Sequence, residues 1–134
     1  MTFGVRAAVF DAAGRIFLIR HSYVPGWHLP GGGVEPGETA DVAMRRELVE
    51  EGGILAEGAA ELFGLYLNQA GGGRDHVALY VVRHWSEVRK LNLPNLEIVE
   101  AGFFGPEALP AETTAATRRR LEEIAGRVAV DTVW

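Results

Sequence analysis

The sequence contains no cysteine, which excludes a disulfide scaffold, a thiolate zinc site and a cysteine nucleophile. Lysine is almost absent too: Lys90 stands alone among 13 cationic residues, and the rest are arginine. No apolar run approaches the roughly 18 residues that a membrane-spanning helix needs. The start, Met1-Thr2-Phe3-Gly4, has neither the charged head nor the apolar stretch of a secretory signal. A cytoplasmic protein with no membrane partner is therefore expected. Positive charge is in deficit, with 13 Lys plus Arg against 18 Asp plus Glu and a formal net charge of −5. That is the wrong sign for a general nucleic-acid binder, whose phosphate contacts need clustered cations. The arginine bias suits fork-like contacts with small anions, and it equally fits the codon bias of a GC-rich genome.

What remains is a chain of 134 residues, 48% of them hydrophobic, enough for one domain over residues 1–134 with a sizeable core. Val5 to Phe10 and Arg15 to Arg20 are apolar runs around a turn at Asp11-Ala12-Ala13-Gly14 and predict a β-hairpin. From His21 to Glu38 the abundance of Gly and Pro predicts a loop. Thr39 to Glu51 is composed of helix formers and stops at Gly52-Gly53. Leu62 to Gln69 and Asp75 to Trp85 predict a second strand pair around Ala70-Gly71-Gly72-Gly73. Asn92 to Glu100 reads as irregular, Ala101 to Phe104 as a short strand, and Thr113 to Ala125 as a closing helix with Leu121 and Ile124 turned inwards. Strands on both sides of a central helix give a mixed α/β class of α+β type, partly antiparallel.

The central helix carries the chemistry. Glu47, Glu50 and Glu51 lie at i, i+3 and i+4, so their carboxylates project from one face. Like charges at that spacing repel, and in the last helical turn they meet the negative end of the dipole. Glu47 and Glu51 also fall on the side of Ala40, Ala43, Met44 and Leu48, the face expected to pack. A divalent cation turns this repulsion into coordination, and a donor set of oxygens alone points to Mg²⁺ or Mn²⁺. The glycines at 31–33 allow close approach of backbone to such a site. Glu38 stands at the favourable end of the dipole, and Arg46, two turns on, is placed to reach back to it.

Gly32, Glu38, Arg46-Glu47-Leu48, Glu50-Glu51 and Gly53-Ile54, at these spacings, resemble the signature of the Nudix hydrolases. All seven fixed positions match, which by chance has a probability on the order of 10⁻⁸. Trp27-His28-Leu29-Pro30-Gly31-Gly32 resembles the family's lead-in. Glu97 to Phe104 resembles its later acidic segment, with Phe103 where Trp is common. The resemblance implies an α/β/α sandwich with a mixed sheet, the signature forming a loop–helix–loop. It implies metal-dependent hydrolysis of a diphosphate linkage in a nucleoside diphosphate joined to another group. By position, Glu47, Glu50, Glu51 and the Gly31 carbonyl would be metal ligands, and Glu38 with Arg46 a structural clamp. Glu50, Glu47 and Glu97 are the candidates for the general base.

Substrate contacts are less sharply marked. Arg20 and His21, at the end of a predicted strand, are candidates for phosphate or base. Trp27, Tyr66, Tyr80 and Phe103 are candidates for stacking, with core packing the competing reading. His28 and His76 lack metal-ligand spacing, and Arg118-Arg119-Arg120 reads as a solvated helix face. No proline stands about 15 residues beyond Gly53, against the ADP-ribose subfamily, and the Tyr66 spacing is short for dinucleoside polyphosphate hydrolases. An isoprenoid diphosphate isomerase would need the missing cysteine. A non-catalytic nucleotide-sensing module is the alternative, although such modules often lose signature carboxylates. Val42 and Val49, opposite the packing face, hint at a covered surface such as a homodimer.

Overall fold

The computed structural model describes residues 3–69 and 73–134. Nine strands and two helices follow in the order β1 (Phe3–Val9), β2 (Ile16–His21), β3 (Trp27–His28), β4 (Gly31–Gly33), α1 (Ala40–Gly52), β5 (Ile54–Ala56), β6 (Glu61–Asn68), β7 (Asp75–Val82), β8 (Trp85–Glu87), β9 (Ile98–Phe104) and α2 (Ala115–Ile124). One mixed sheet has the order β4-β1-β7-β6, with β1 and β7 parallel and the outer pairs antiparallel. A second, antiparallel sheet has the order β3-β2-β9, and β5 pairs with β8.

Alternation along the strands divides the core in two. Val5, Ala7 and Val9 of β1 and Ala78, Tyr80 and Val82 of β7 join Phe17, Ile19 and the α1 residues Ala43, Met44 and Leu48. Ala8, Leu79 and Val81 face the other way, towards Ile16, Leu18, Trp27 and Tyr66, with Leu121 and Ile124 of α2 packed behind. The strands thus form the middle of an α/β/α sandwich, and strands covered on both sides are apolar without strict alternation. The opposed runs of β1 and β2 carry that signature.

The expected hairpin does not form. β1 and β2 lie in different sheets, and only a single bridge, Phe10 to Ile16, joins their ends. The Asp11 carboxylate accepts the amides of Ala13 and Arg15 and the Arg15 Nε, building a corner that sends the chain into the second sheet. The loop over 21–38 contains the short strands β3 and β4, and β9 begins three residues earlier than expected, at Ile98. The run from Asp75 to Trp85 is two strands, because Trp85 swings away to donate its indole N–H to Phe10 O. The expected turn at Ala70, Gly71 and Gly72 lies outside the described residues.

The closing helix forms, with Leu121 and Ile124 packed against the core as expected and a second, polar stripe buried beside them. Thr114 caps it, its hydroxyl accepting the Thr117 amide. Leu121 and Ile124 are only partly covered, whereas Thr117, Arg120 and Glu123 are buried. Arg120, read from the sequence as solvated, is fully buried. Its guanidinium lies between the rings of Tyr66 (4.4 Å) and Trp134 (5.1 Å) and donates to Glu123 at 3.0 Å. The tail after α2 folds back along β6, with Leu67 N donating to Thr132 O and Trp134 N to Leu67 O, and so brings Trp134 over a helix face that would otherwise meet water. Among the described residues, no helix is long and apolar enough to cross a membrane.

Candidate active site

Helix α1 begins where Thr39 caps it, the hydroxyl accepting the Val42 amide. It ends at Gly53, whose φ of +63° closes the C-terminus with N–H bonds to the carbonyls of Leu48 and Val49. Ala43, Met44 and Leu48 anchor the helix in the core, and the same turn of sequence carries Glu47 and Glu51 towards β4.

There the fit is tight. A Cβ at Gly32 would lie 2.7 Å from the Glu47 carboxylate, so only glycine lets that carboxylate rest on the strand. Glu51 is buried and accepts the Gly31 amide at 2.7 Å. Burial, opposed by the Gly31 amide and reinforced by Glu47, pushes its carboxyl up to about 7. Glu47 is also shifted upwards, chiefly by burial, although Arg46 pulls the other way.

Arg46 organises the loop and the helix together. Its guanidinium grips Glu38 through Nε (2.7 Å) and Nη2 (2.9 Å), and also donates to Gly33 O and Glu47. That fork pulls Glu38 down to about 2. Glu35 N donates to Glu38, tying the loop before the helix to the same pair. Arg46→Ala therefore removes these four hydrogen bonds at once, and a melting temperature lowered by roughly 5–10 °C is expected. An unchanged melting curve would show that the loop does not depend on this pair. The Glu38 contribution is present above the ordinary carboxylate pKa near 4.5 and is lost as pH falls towards 2.

The three helix acids are not gathered into one cluster. Among the described residues, no group of three or more His, Asp or Glu side chains is close enough to hold an ion. Glu50 is 57% exposed and leans towards Arg46 at 3.5 Å. Even so, the donor set suits a hard divalent ion: two carboxylates driven out of water side by side, with too little positive charge beside them. Glu97 adds to this field. It is exposed, and its charge raises the proton affinity of both Glu47 and Glu51. Its backbone is fixed, since Glu97 N donates to Asn95 Oδ1 and Ser22 N donates to Glu97 O.

The other candidates separate. Tyr66 is fully buried, its hydroxyl donating to Glu123 at 2.7 Å on the α2 side of the sheet, so it faces no substrate. Trp27 is also core, packed edge-on against Phe104, and Tyr80 is buried while Phe103 stacks on Trp85. Their aromatic area is used in packing. Arg20 is paired across the sheet with Glu100, 3.1 Å from its Nε. His21 remains: its ring lies near Tyr23 (5.6 Å) and His28 (6.0 Å), and its buried Nδ1 has no hydrogen-bond partner among the described residues. Burial, then Arg6 and His28, lower its pKa.

Two residues here escaped the sequence reading. Arg6, on β1 beside Gly31, donates to Leu29 O and feels the charges of Glu51 and Glu47. Tyr23 is 71% exposed beside His21. An arginine interrupting an otherwise apolar strand was the available signal for the first. Nothing in a loop of mixed composition marked the second.

The NUDIX domain family matches residues 2–124. The chain belongs to the Nudix hydrolase family. A MutT Nudix hydrolase structure from Burkholderia pseudomallei superposes with a TM-score of 0.76 at 32% identity, over 92% of this chain and 97% of that one. An RNA pyrophosphohydrolase from Dinoroseobacter shibae is 46% identical over 55 residues, 40% of this chain and 34% of its own length. A putative 8-oxo-dGTP diphosphatase from Bacillus subtilis is 42% identical over 65 residues, 48% of this chain and 43% of its own. The matches to these two curated relatives thus span less than half of their length, while the Burkholderia structure is covered almost end to end. The Nudix signature of this chain is the loop, helix and turn from Gly32 to Ile54, built around Arg46.

Proposed function

We propose that this Nudix domain hydrolyses a diphosphate linkage in a nucleoside diphosphate joined to another group, using Mg²⁺ or Mn²⁺. The observation that carries the reading is the pair Glu47 and Glu51, set against Gly31–Gly33 with their charge under-compensated. Glu47, Glu50, Glu51 and the Gly31 carbonyl are the residues that would hold the ion. Bound there, such an ion would supply charge neutralisation for phosphate oxygens and a lowered pKa for a water.

The chain's own groups do the rest. Arg46 keeps Glu47 and the loop in register, so binding does not have to order them. Water attacks one phosphorus, the bridging P–O bond breaks, and a phosphate remains on each fragment. The water proton passes to a carboxylate. Glu97 is the best placed for this, exposed to substrate and held by Asn95 and Ser22 at its backbone, with Glu50 and Glu47 the competing acceptors. His21 and Tyr23 offer a ring platform for a base, and Arg6 its remaining N–H donors for phosphate. The names of the relatives support cleavage of a pyrophosphate bond, with different substrates among them.

The test is phosphate release at pH about 8 from a panel of canonical and oxidised NTPs, 5′-triphosphate RNA, nucleotide sugars, ADP-ribose, NADH and dinucleoside polyphosphates. Each is assayed with Mg²⁺, Mn²⁺ or chelator. Turnover of one class that vanishes in chelator is expected, with Glu97→Gln lowering kcat about 10²-fold. Metal binding without turnover of any substrate would favour the sensing module instead.

A further inference from the structure

Two acids, Glu50 and Glu51, lie in the last turn of α1 and oppose the helix dipole, and that turn contains no basic residue of its own. The compensation comes from elsewhere in the chain. Arg89, just after β8, donates from Nη2 to Val49 O at 3.0 Å and to Glu50 O at 2.8 Å. Both lie among the last four carbonyls of the helix: Val49 O also accepts the capping Gly53 amide, and Arg89 adds a second donor there while serving Glu50 O. The brace is locked from the other side: Val88 N donates to Gly53 O, and β5 pairs with β8 from Ile54 to Glu87. At Gly53 a Cβ would lie 2.2 Å from Arg89 O, so the glycine that ends the helix also admits this strand. The segment bearing Arg89 and the helix end thus form one unit.

We propose that Arg89 is a positioning residue for the metal site: by binding the carbonyls of Val49 and Glu50, it fixes the last turn of α1 so that Glu50 and Glu51 are presented to the ion at low ordering cost. The inference rests on the proposed metal-dependent reading. Arg89 acts through the backbone, touching neither ion nor substrate. The alternatives make different demands. A mere brace for β8 would alter stability without altering ion affinity, whereas a simple cation beside the site would repel the ion.

The experiment uses the full chain with Arg89→Ala, Arg89→Gln and Arg89→Lys. Mn²⁺ affinity is followed by electron paramagnetic resonance of the free ion, and melting temperature is measured in chelator. Arg89→Ala is expected to weaken Mn²⁺ binding roughly tenfold, about 1.4 kcal/mol, with Arg89→Lys recovering most of it and Arg89→Gln less. The Lys and Gln variants give the comparison even where the alanine variant does not fold. A lower melting temperature with unchanged Mn²⁺ affinity across the series overturns the proposal, and so does tighter binding in Arg89→Ala. Wild-type protein that binds no Mn²⁺ overturns the metal reading itself, and this inference with it.

Discussion

Glu51→Gln is expected to lower turnover by roughly 10³-fold or more, while raising the melting temperature of the metal-free protein above pH 7. The two effects have one cause. The wild-type carboxyl is pushed up to about 7 by burial, so above that pH the folded chain carries a buried charge that the unfolded chain solvates easily. The sign follows from linkage. With a folded pKa above the unfolded value near 4.5, the protein gains stability as pH falls from about 7 towards 4.5, and loses it as pH rises. Glutamine keeps an oxygen to accept the Gly31 amide and removes the charge. Its melting temperature in chelator should therefore exceed the wild type at pH 8 by roughly 2–8 °C, and the difference should shrink by pH 5. Added Mn²⁺ should stabilise the wild type and leave the variant unmoved. Calorimetry in chelator at pH 5, 6 and 8, with and without Mn²⁺, measures all of this. A glutamine variant that melts lower at pH 8 and still turns over substrate would remove Glu51 from the site.

Arg120→Ala carries the largest expected loss of stability. Arg120 is fully buried between Tyr66 and Trp134, and it pairs with a Glu123 that is itself buried and also accepts the Tyr66 hydroxyl and the Asp131 amide. Removing the guanidinium leaves Glu123 uncompensated and opens the space between two rings. A cost of about 3–5 kcal/mol is expected, which lowers the melting temperature by roughly 10–20 °C. The tail should loosen with it, because Arg120 also donates to the carbonyls of Val133 and Trp134. Combining Arg120→Met with Glu123→Gln should recover part of the loss, since the glutamine keeps an acceptor for Tyr66 and no charge is stranded. Arg118→Ala, exposed on the same helix and bonded to Pro110 O rather than to the tail, is the control. If Arg120→Ala melts no lower than that control, the buried pair is not what holds the tail.

The helix from Thr39 to Gly53 was legible because its composition, its stop and its acid spacing are all local. A glycine able to take φ +63° is a property of a single residue. The signature added the partnership of Glu38 with Arg46, which two helical turns bring into reach. The second sheet was not legible. β1 and β2 look like a hairpin because short apolar runs flank a turn, yet pairing is decided by which neighbours cover both faces of a strand. Arg118-Arg119-Arg120 failed for a related reason. A triplet of arginines reads as solvated until a tail from positions 131–134 and Tyr66 from β6 arrive to enclose the third.

The site divides along the same line. Sequence alone placed Glu47, Glu50 and Glu51 close together on one helix and Arg46 within reach of Glu38, since both follow from local spacing. Tertiary structure alone decided that Tyr66 and Trp27 are core and that Glu50 stands apart from Glu47 and Glu51. It alone brought the rings of His21 and Tyr23 together, and set Arg89 against the end of the helix. Those relations join residues tens of positions apart, and only the packing of the two sheets and the helices fixes which of them share a face.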